Sequence, residues 1–284
     1  PTTSPRPRGA HPRRPGAAIN AAALETPARG RGAQLQPGNR FESLRLEVLD
    51  EHRETLAGRP QQVATDVARD ESRSIINRVD SPDIGFRWTV NPYRGCEHGC
   101  VYCYARPGHE MLGFSCGLDF ETRLMAKRDA PDLIRDELAS PTWTGETIVM
   151  SGVTDCYQPI EREMRITRRI LEVFAECRQP VSIVTKSRLI LRDLDVLQEL
   201  ASYNAVRVAV SITSFDNSLA AAMEPRAASP GDRIWTIRRL ASAGIPVACM
   251  VAPIIPAIND REAPTILRRA ADAGARSAGY VLLR

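Results

Sequence analysis

Phe86-Arg87-Trp88-Thr89-Val90-Asn91-Pro92-Tyr93-Arg94-Gly95-Cys96-Glu97-His98-Gly99-Cys100-Val101-Tyr102-Cys103 begins as a short alternating strand and breaks at turn residues. It then delivers three cysteines, spaced by three and two residues, onto one loop. Three close thiolates supply three of the four ligands of a [4Fe-4S] cube and leave one iron open to a donor from outside. Gly99 permits backbone conformations that a side chain forbids. The competing reading is a structural zinc, which needs a fourth ligand from His98 or Cys116, and no second Cys or His pair follows elsewhere.

Outward from this loop, apolar strand-like runs at 147–150, 181–185, 206–212, 247–251 and 278–283 alternate with helix-length amphipathic stretches at 130–139, 160–176, 194–201, 229–243 and 262–273. With the strand at 86–90 there are six strands, and the strand–helix alternation is that of parallel βα units. A doubly wound sheet is the rival, but no Gly-x-Gly-x-x-Gly follows any strand. The expected fold class is therefore α/β, a partial (β/α)6 TIM-type barrel whose site lies on the loops after the C-terminal ends of its strands.

The 284 residues, 43% of them hydrophobic, suffice for one large catalytic domain. No run reaches the 18 or so apolar residues that span a bilayer, and the N-terminus has no secretory core, so the expectation is a soluble cytoplasmic protein with no membrane partner. The net charge of +4 sits in residues 1–40, where seven arginines face Glu25 alone. Rich in Pro, Arg, Gly and Ala, this segment is expected to be a disordered tail. It is open to three readings: a solvated tail, an organelle transit peptide, or a nucleic-acid contact through Arg6 to Arg14 or Arg29-Gly30-Arg31-Gly32. Residues 41–85 are expected to wrap the main domain, which occupies 86–284. Seven cysteines is an odd count without an export signal, which favours metal or redox use over disulfides. Four histidines supply little for histidine-based catalysis.

The triplet, with Tyr102 before its last cysteine, resembles the signature loop of the radical S-adenosylmethionine (radical SAM) enzymes. The runs Asn91 to Cys96, Tyr104-Ala105-Arg106, Gly117 to Glu121, Thr154 to Glu161, Thr185-Lys186-Ser187 and Glu224-Pro225-Arg226 resemble a bacterial branch related to spore photoproduct lyase. The resemblance covers about residues 30–284. It implies a partial (β/α)6 barrel and a [4Fe-4S] cluster on Cys96, Cys100 and Cys103. It further implies S-adenosyl-L-methionine on the open iron, cleaved by one electron to a 5'-deoxyadenosyl radical that abstracts hydrogen from a substrate. The substrate is unidentified, with damaged nucleic acid offered by analogy, and the electron donor is of the flavodoxin or ferredoxin kind. The chain stops at Arg284, after the sixth strand, whereas the family pattern continues; a truncated chain without a closing helix is the expectation.

The same resemblance brings Tyr102 to the adenine and Ser151-Gly152 to the amino group of SAM, although the usual acidic residue is missing there and Asp155 is the substitute. Lys186, ending the third strand, either pairs with the SAM carboxylate or is simply solvated. Ser211 and Thr213 end the fourth strand near the ribose hydroxyls, while Asp216 is read as the cap of the next helix. Glu224 and Arg226 form a charge pair in the mouth or stitch a surface loop. The Pro253-Ile254-Ile255-Pro256 turn resembles an adenine contact, or is only a rigid turn. Cys156 is a candidate catalytic hydrogen-atom donor at the mouth, against the bland reading of a small buried thiol. Cys177 and Cys249 are assigned to packing, and Cys116 is left open. The alternative function is a non-catalytic iron-sulfur or zinc module that binds nucleic acid through the tail.

Overall fold

The strand at Val181–Thr185 shows why the sheet forms here: Val181, Ile183 and Thr185 are buried and the residues between them are half-buried, the pattern of a strand covered on both faces. The computed structural model describes residue 24 and residues 27–41, 62–81 and 84–283. Its strands are β1 (Asp66–Arg69), β2 (Ile76–Arg78), β3 (Trp88–Val90), β4 (Tyr93–Arg94), β5 (Arg123–Ala126), β6 (Ile148–Met150), β7 (Val181–Thr185), β8 (Val206–Ser211), β9 (Val247–Ile254) and β10 (Ser277–Leu282). A seven-stranded sheet runs in the order β10-β9-β8-β7-β6-β3-β2. Every neighbour from β3 to β10 is parallel, and β2 pairs antiparallel with β3 at the edge.

Spatial order follows chain order without reversal from β3 to β10, which is single winding; a doubly wound sheet would reverse at a switch point. Among the described strands the two edges do not pair, so the barrel is partial. All six expected strands are present, within three residues of their expected ends. The five helical stretches are present too, with one difference. The stretch 160–176 is broken at Arg165, at φ +51°, into Glu161–Met164 and Ile166–Cys177. The break has a partner: the buried Glu161 carboxylate turns back to accept the Thr167 N–H at 3.0 Å and the Arg168 N–H at 3.4 Å, capping the second helix. That helix buries Ile166, Ile170, Leu171 and Phe174 in the main core against the sheet.

A second sheet, β1-β5-β4, was not foreseen. Its strands are two to four residues long, too short to show periodicity, yet β4 leads straight into Cys96. Of the tail expected over 1–40, residues 1–23, 25 and 26 lie outside the described residues. For residues 27–40 the expectation of disorder is corrected: Arg31 is buried and donates to Glu121 O (2.7 Å), Val63 O (2.8 Å) and Thr65 Oγ1 (2.9 Å). Arg31 is therefore bonded inside the fold, not free for phosphate. Among the described residues no helix is long and apolar enough to cross a membrane.

Candidate functional site

Cys96 is buried and Cys100 and Cys103 are half-buried, all three as free thiols. Burial pushes the Cys96 thiol well up, and Cys100, Asp155 and Cys103 push it further. Cys100 is pushed up to about 12, again first by burial, with Lys186 opposing and Glu224 and Cys103 adding. Each thiolate would thus raise the cost of the next, and a cationic group relieves that repulsion. Three soft donors on one short loop fit a group that takes one thiolate on each of three irons. Among the described residues no three His, Cys, Asp or Glu side chains converge as they would about a single ion.

The loop lies across the C-terminal ends of the parallel strands, pinned at several of them. After β6, the buried His98 places Nδ1 3.3 Å from the half-buried Asp155. Burial works against the Asp155 charge. His98, with the N–H groups of Lys186 (2.8 Å) and Tyr157 (2.9 Å), outweighs it and brings the carboxyl to about 2. Also after β6, the Tyr104 hydroxyl donates to the Gly152 carbonyl. After β8, the Tyr102 hydroxyl donates to Glu224, which also accepts from Thr213 Oγ1 (2.6 Å) and from Arg233. Burial disfavours the Glu224 charge, but Arg233 and Lys186 outweigh it and lower its pKa. Lys186, at the end of β7, sits with Nζ 5.8 Å from the Tyr102 ring centre. Burial favours its neutral form, yet Cys100 and Glu224 hold its proton, and its pKa is raised.

The other side of the loop is clamped by the segment around Arg31. The fully buried Glu121 accepts from Gly32 N (3.0 Å), Ala33 N (2.8 Å) and Arg106 Nη2 (2.5 Å), and Arg106 also donates to Cys100 O at 2.9 Å. The approach demands glycines. A Cβ on Gly32 would lie 1.7 Å from Gly99 O, and Gly99 itself, at φ +67°, has Glu121 Oε2 2.8 Å from where its own Cβ would stand.

Several expected site residues are placed differently from their reading. Glu224 pairs with the buried Arg233, and Arg226 instead meets Glu97 at 3.2 Å while its backbone N–H donates to His98 O at 3.3 Å. Two residues apart in sequence, Glu224 and Arg226 leave the backbone in different directions, which corrects the expected pair. Cys156 is not at the mouth: it is fully buried in the main core, its carbonyl accepting from Thr167 Oγ1 at 2.6 Å, so the bland reading holds. Cys177, expected to pack, is exposed at its helix end, whereas Cys249 is buried and Cys116 half-buried. Ser151 adopts φ +77°, and its hydroxyl accepts the Cys156 N–H at 2.9 Å. Ser211 and Thr213 direct their hydroxyls toward Ala252 O, at 3.1 and 3.2 Å. Asp216 caps its helix as expected, accepting from Ser218 N and Leu219 N. The Ile255 N–H donates to Asn259 Oδ1 at 2.6 Å, and Asn259 in turn donates to Thr213 O, joining the β8 and β9 loops. Sequence reading missed Arg233, Glu121 and Arg106 as site residues. Glu121 and Arg106 stood inside recognised runs, whereas Arg233 carries no local signal.

The family model of the radical SAM superfamily matches residues 90–270, most of the chain, including the cysteine loop and the ends of β6 to β9. The chain belongs to the radical SAM superfamily. An uncharacterised protein of Mycobacterium tuberculosis is 38% identical over 189 residues, covering 66% of this chain and 56% of that protein. One from Methanocaldococcus jannaschii is 32% identical over 197 residues, covering 69% and 71%. The matched segment thus spans little more than half of the mycobacterial relative. Among solved structures, a spore photoproduct lyase variant with bound AdoMet and dinucleoside spore photoproduct matches with a TM-score of 0.57 at 17% identity, over 76% of this chain and 61% of that one. A second variant of the lyase matches with a TM-score of 0.56 at 18% identity, over 73% and 56%. At such identity the likeness is one of fold, and it agrees with the partial barrel of a radical SAM protein. Membership of the superfamily implies a [4Fe-4S] cluster and SAM.

Proposed function

We propose that this protein is a radical SAM enzyme that holds a [4Fe-4S] cluster on Cys96, Cys100 and Cys103 and binds S-adenosylmethionine over the strand ends. When bound, the pair supplies one-electron cleavage of the sulfonium, giving methionine and a 5'-deoxyadenosyl radical that abstracts a substrate hydrogen. The observation that carries the reading is the laying of the cysteine loop across the ends of β6, β7 and β8 by His98–Asp155, Lys186–Tyr102 and Tyr102–Glu224.

The chain's own groups have distinct tasks in this reading. Lys186 presents a protonated amine beside Cys100, suited to a carboxylate. Asp155, held charged by its N–H donors, orients His98 between two of the cluster ligands. Glu224, neutralised by Arg233, fixes Tyr102 so that the loop keeps one conformation.

Anaerobic reconstitution followed by dithionite and SAM tests the reading. The wild-type chain is expected to release 5'-deoxyadenosine, and Cys100→Ala to lose both most of its iron and this product. Absence of product from a fully loaded cluster, or full iron retention in Cys100→Ala, overturns it.

A further inference from the structure

One side chain brackets the first cysteine of the loop. Gln158, fully buried in the turn after β6, accepts the Glu97 N–H on Oε1 at 2.8 Å and donates from Nε2 to the Gly95 carbonyl at 3.2 Å. Cys96 lies between these two bonds, and its own N–H donates to Phe120 O at 2.8 Å. A side-chain amide carries a donor and an acceptor side by side. Turned over, it would set NH2 against N–H and oxygen against carbonyl, so one orientation alone serves both flanks of Cys96. Among the described residues neither the Gly95 carbonyl nor the Glu97 N–H has another partner. The backbone has little room to move. Gly95 stands at φ +75°, and a Cβ on it would lie 2.9 Å from Phe120 O and 2.7 Å from Leu124 Cδ2.

Gln158 is itself held firmly. Its N–H donates to Asp155 O at 3.2 Å, its carbonyl accepts from Glu161 N at 2.9 Å, and the adjoining Tyr157, fully buried, donates its hydroxyl to Asp193 at 3.1 Å. The same turn sends Asp155 to His98, so it grips the loop on both sides of Cys96 and again at His98. We infer that Gln158 is the positioning residue for the first cluster thiolate, fixing the Cys96 backbone in its ligating conformation before any metal arrives. The inference rests on the proposed function and deepens it at one ligand. Gln158 acts through the backbone and touches no reacting atom. Without its amide two buried backbone groups lose their partners, and the segment carrying Cys96 shifts to find others. Groups that orient a metal ligand in this way govern how tightly the metal is kept.

The test is the rate at which the cluster-loaded chain gives up iron to a chelator. Gln158→Met keeps the length of the side chain and removes both bonds. Gln179→Met is the matched control. Gln179 is 3% exposed, accepts from Trp143 Nε1 at 2.8 Å and donates to Glu146 O and Pro180 O at 2.8 and 2.9 Å, but it precedes the N-terminal end of β7, at the far end of the sheet from the loop. Both variants are expected to lose stability in urea, and only Gln158→Met to release iron about tenfold faster than the wild type. Gln158→Asn, which keeps the amide and withdraws it by one methylene, is expected to release iron faster in the same way. In the metal-free chain, hydrogen exchange over residues 95–99 is expected to quicken in Gln158→Met and not in Gln179→Met. Iron release from Gln158→Met at the wild-type rate overturns the inference. So does equal acceleration in Gln179→Met, which would make Gln158 one buried amide among others. If the wild-type chain takes up no iron, the proposed function fails instead. Exchange in the metal-free chain then decides the hold on Cys96 by itself: faster exchange in Gln158→Met upholds it and unchanged exchange overturns it.

Discussion

Glu224 shows how much a single side chain in this site depends on distant neighbours. It is 2% exposed and bonded to Arg233, itself 2% exposed, and to Thr213 and Tyr102. Removing one member of a buried pair leaves the other charge without compensation, which costs about 3–5 kcal/mol. Glu224→Ala is therefore expected to lose that much stability in urea unfolding, and a loss below about 1 kcal/mol would show that Arg233 finds another partner. The contrast with Asp216 is instructive. Its role as a cap was legible because the bonds close within three residues, at Ser218 and Leu219. The partner of Glu224 lies nine residues on, past two prolines and onto another helix, where no local rule points. Cys156 is similar: a thiol beside Asp155 looks like a mouth residue until Tyr157, Ile166 and Ile170 are seen to share its core.

At the level of elements, the segment from Arg31 to Ala33 behaves as a clamp on the cluster loop. Its grip comes from the buried Glu121 and from two glycine backbones in contact. Gly32→Ala places a Cβ 1.7 Å from Gly99 O, an overlap that only separation of the two segments removes. The expected outcome is a destabilisation of about 1–3 kcal/mol. Faster hydrogen exchange at residues 31–34 and a lower iron content after reconstitution are expected with it. Unchanged exchange would show that the clamp yields without cost. Composition placed this segment in a disordered tail, because a run rich in Arg and Gly carries no periodicity. Its order comes from acceptors some ninety residues away, Glu121 above all. The break at Arg165 was hidden for the same reason, since the apolar spacing continues through it while Glu161 caps the second helix from within the first.

The whole molecule does not lean on the cluster for its fold. The main core runs from Ile75 through the sheet to Ala273, and the cysteines Cys96 and Cys103 belong to a separate small cluster with Ala105 and Phe120. The loop is held by protein bonds that need no metal. Replacing Cys96, Cys100 and Cys103 together by Ser is expected to leave the far-UV circular dichroism unchanged. It should shift Tm by less than roughly 5 °C, equivalent to about 1–2 kcal/mol at this size. A non-cooperative or unfolded apo chain would instead place this protein with small domains whose folding is metal binding. The amino-acid sequence alone determined the six parallel strands with the helices between them, the three-cysteine motif and the superfamily, because alternation, helical spacing and a tight motif are written within a few residues of one another. Only the tertiary structure decided that Glu224 answers to Arg233, that Cys156 is core and that residues 31–33 clamp the loop. Those features are contacts between segments far apart in the chain, and burial and charge pairing come into being only when the strands bring their loops to one end of the sheet.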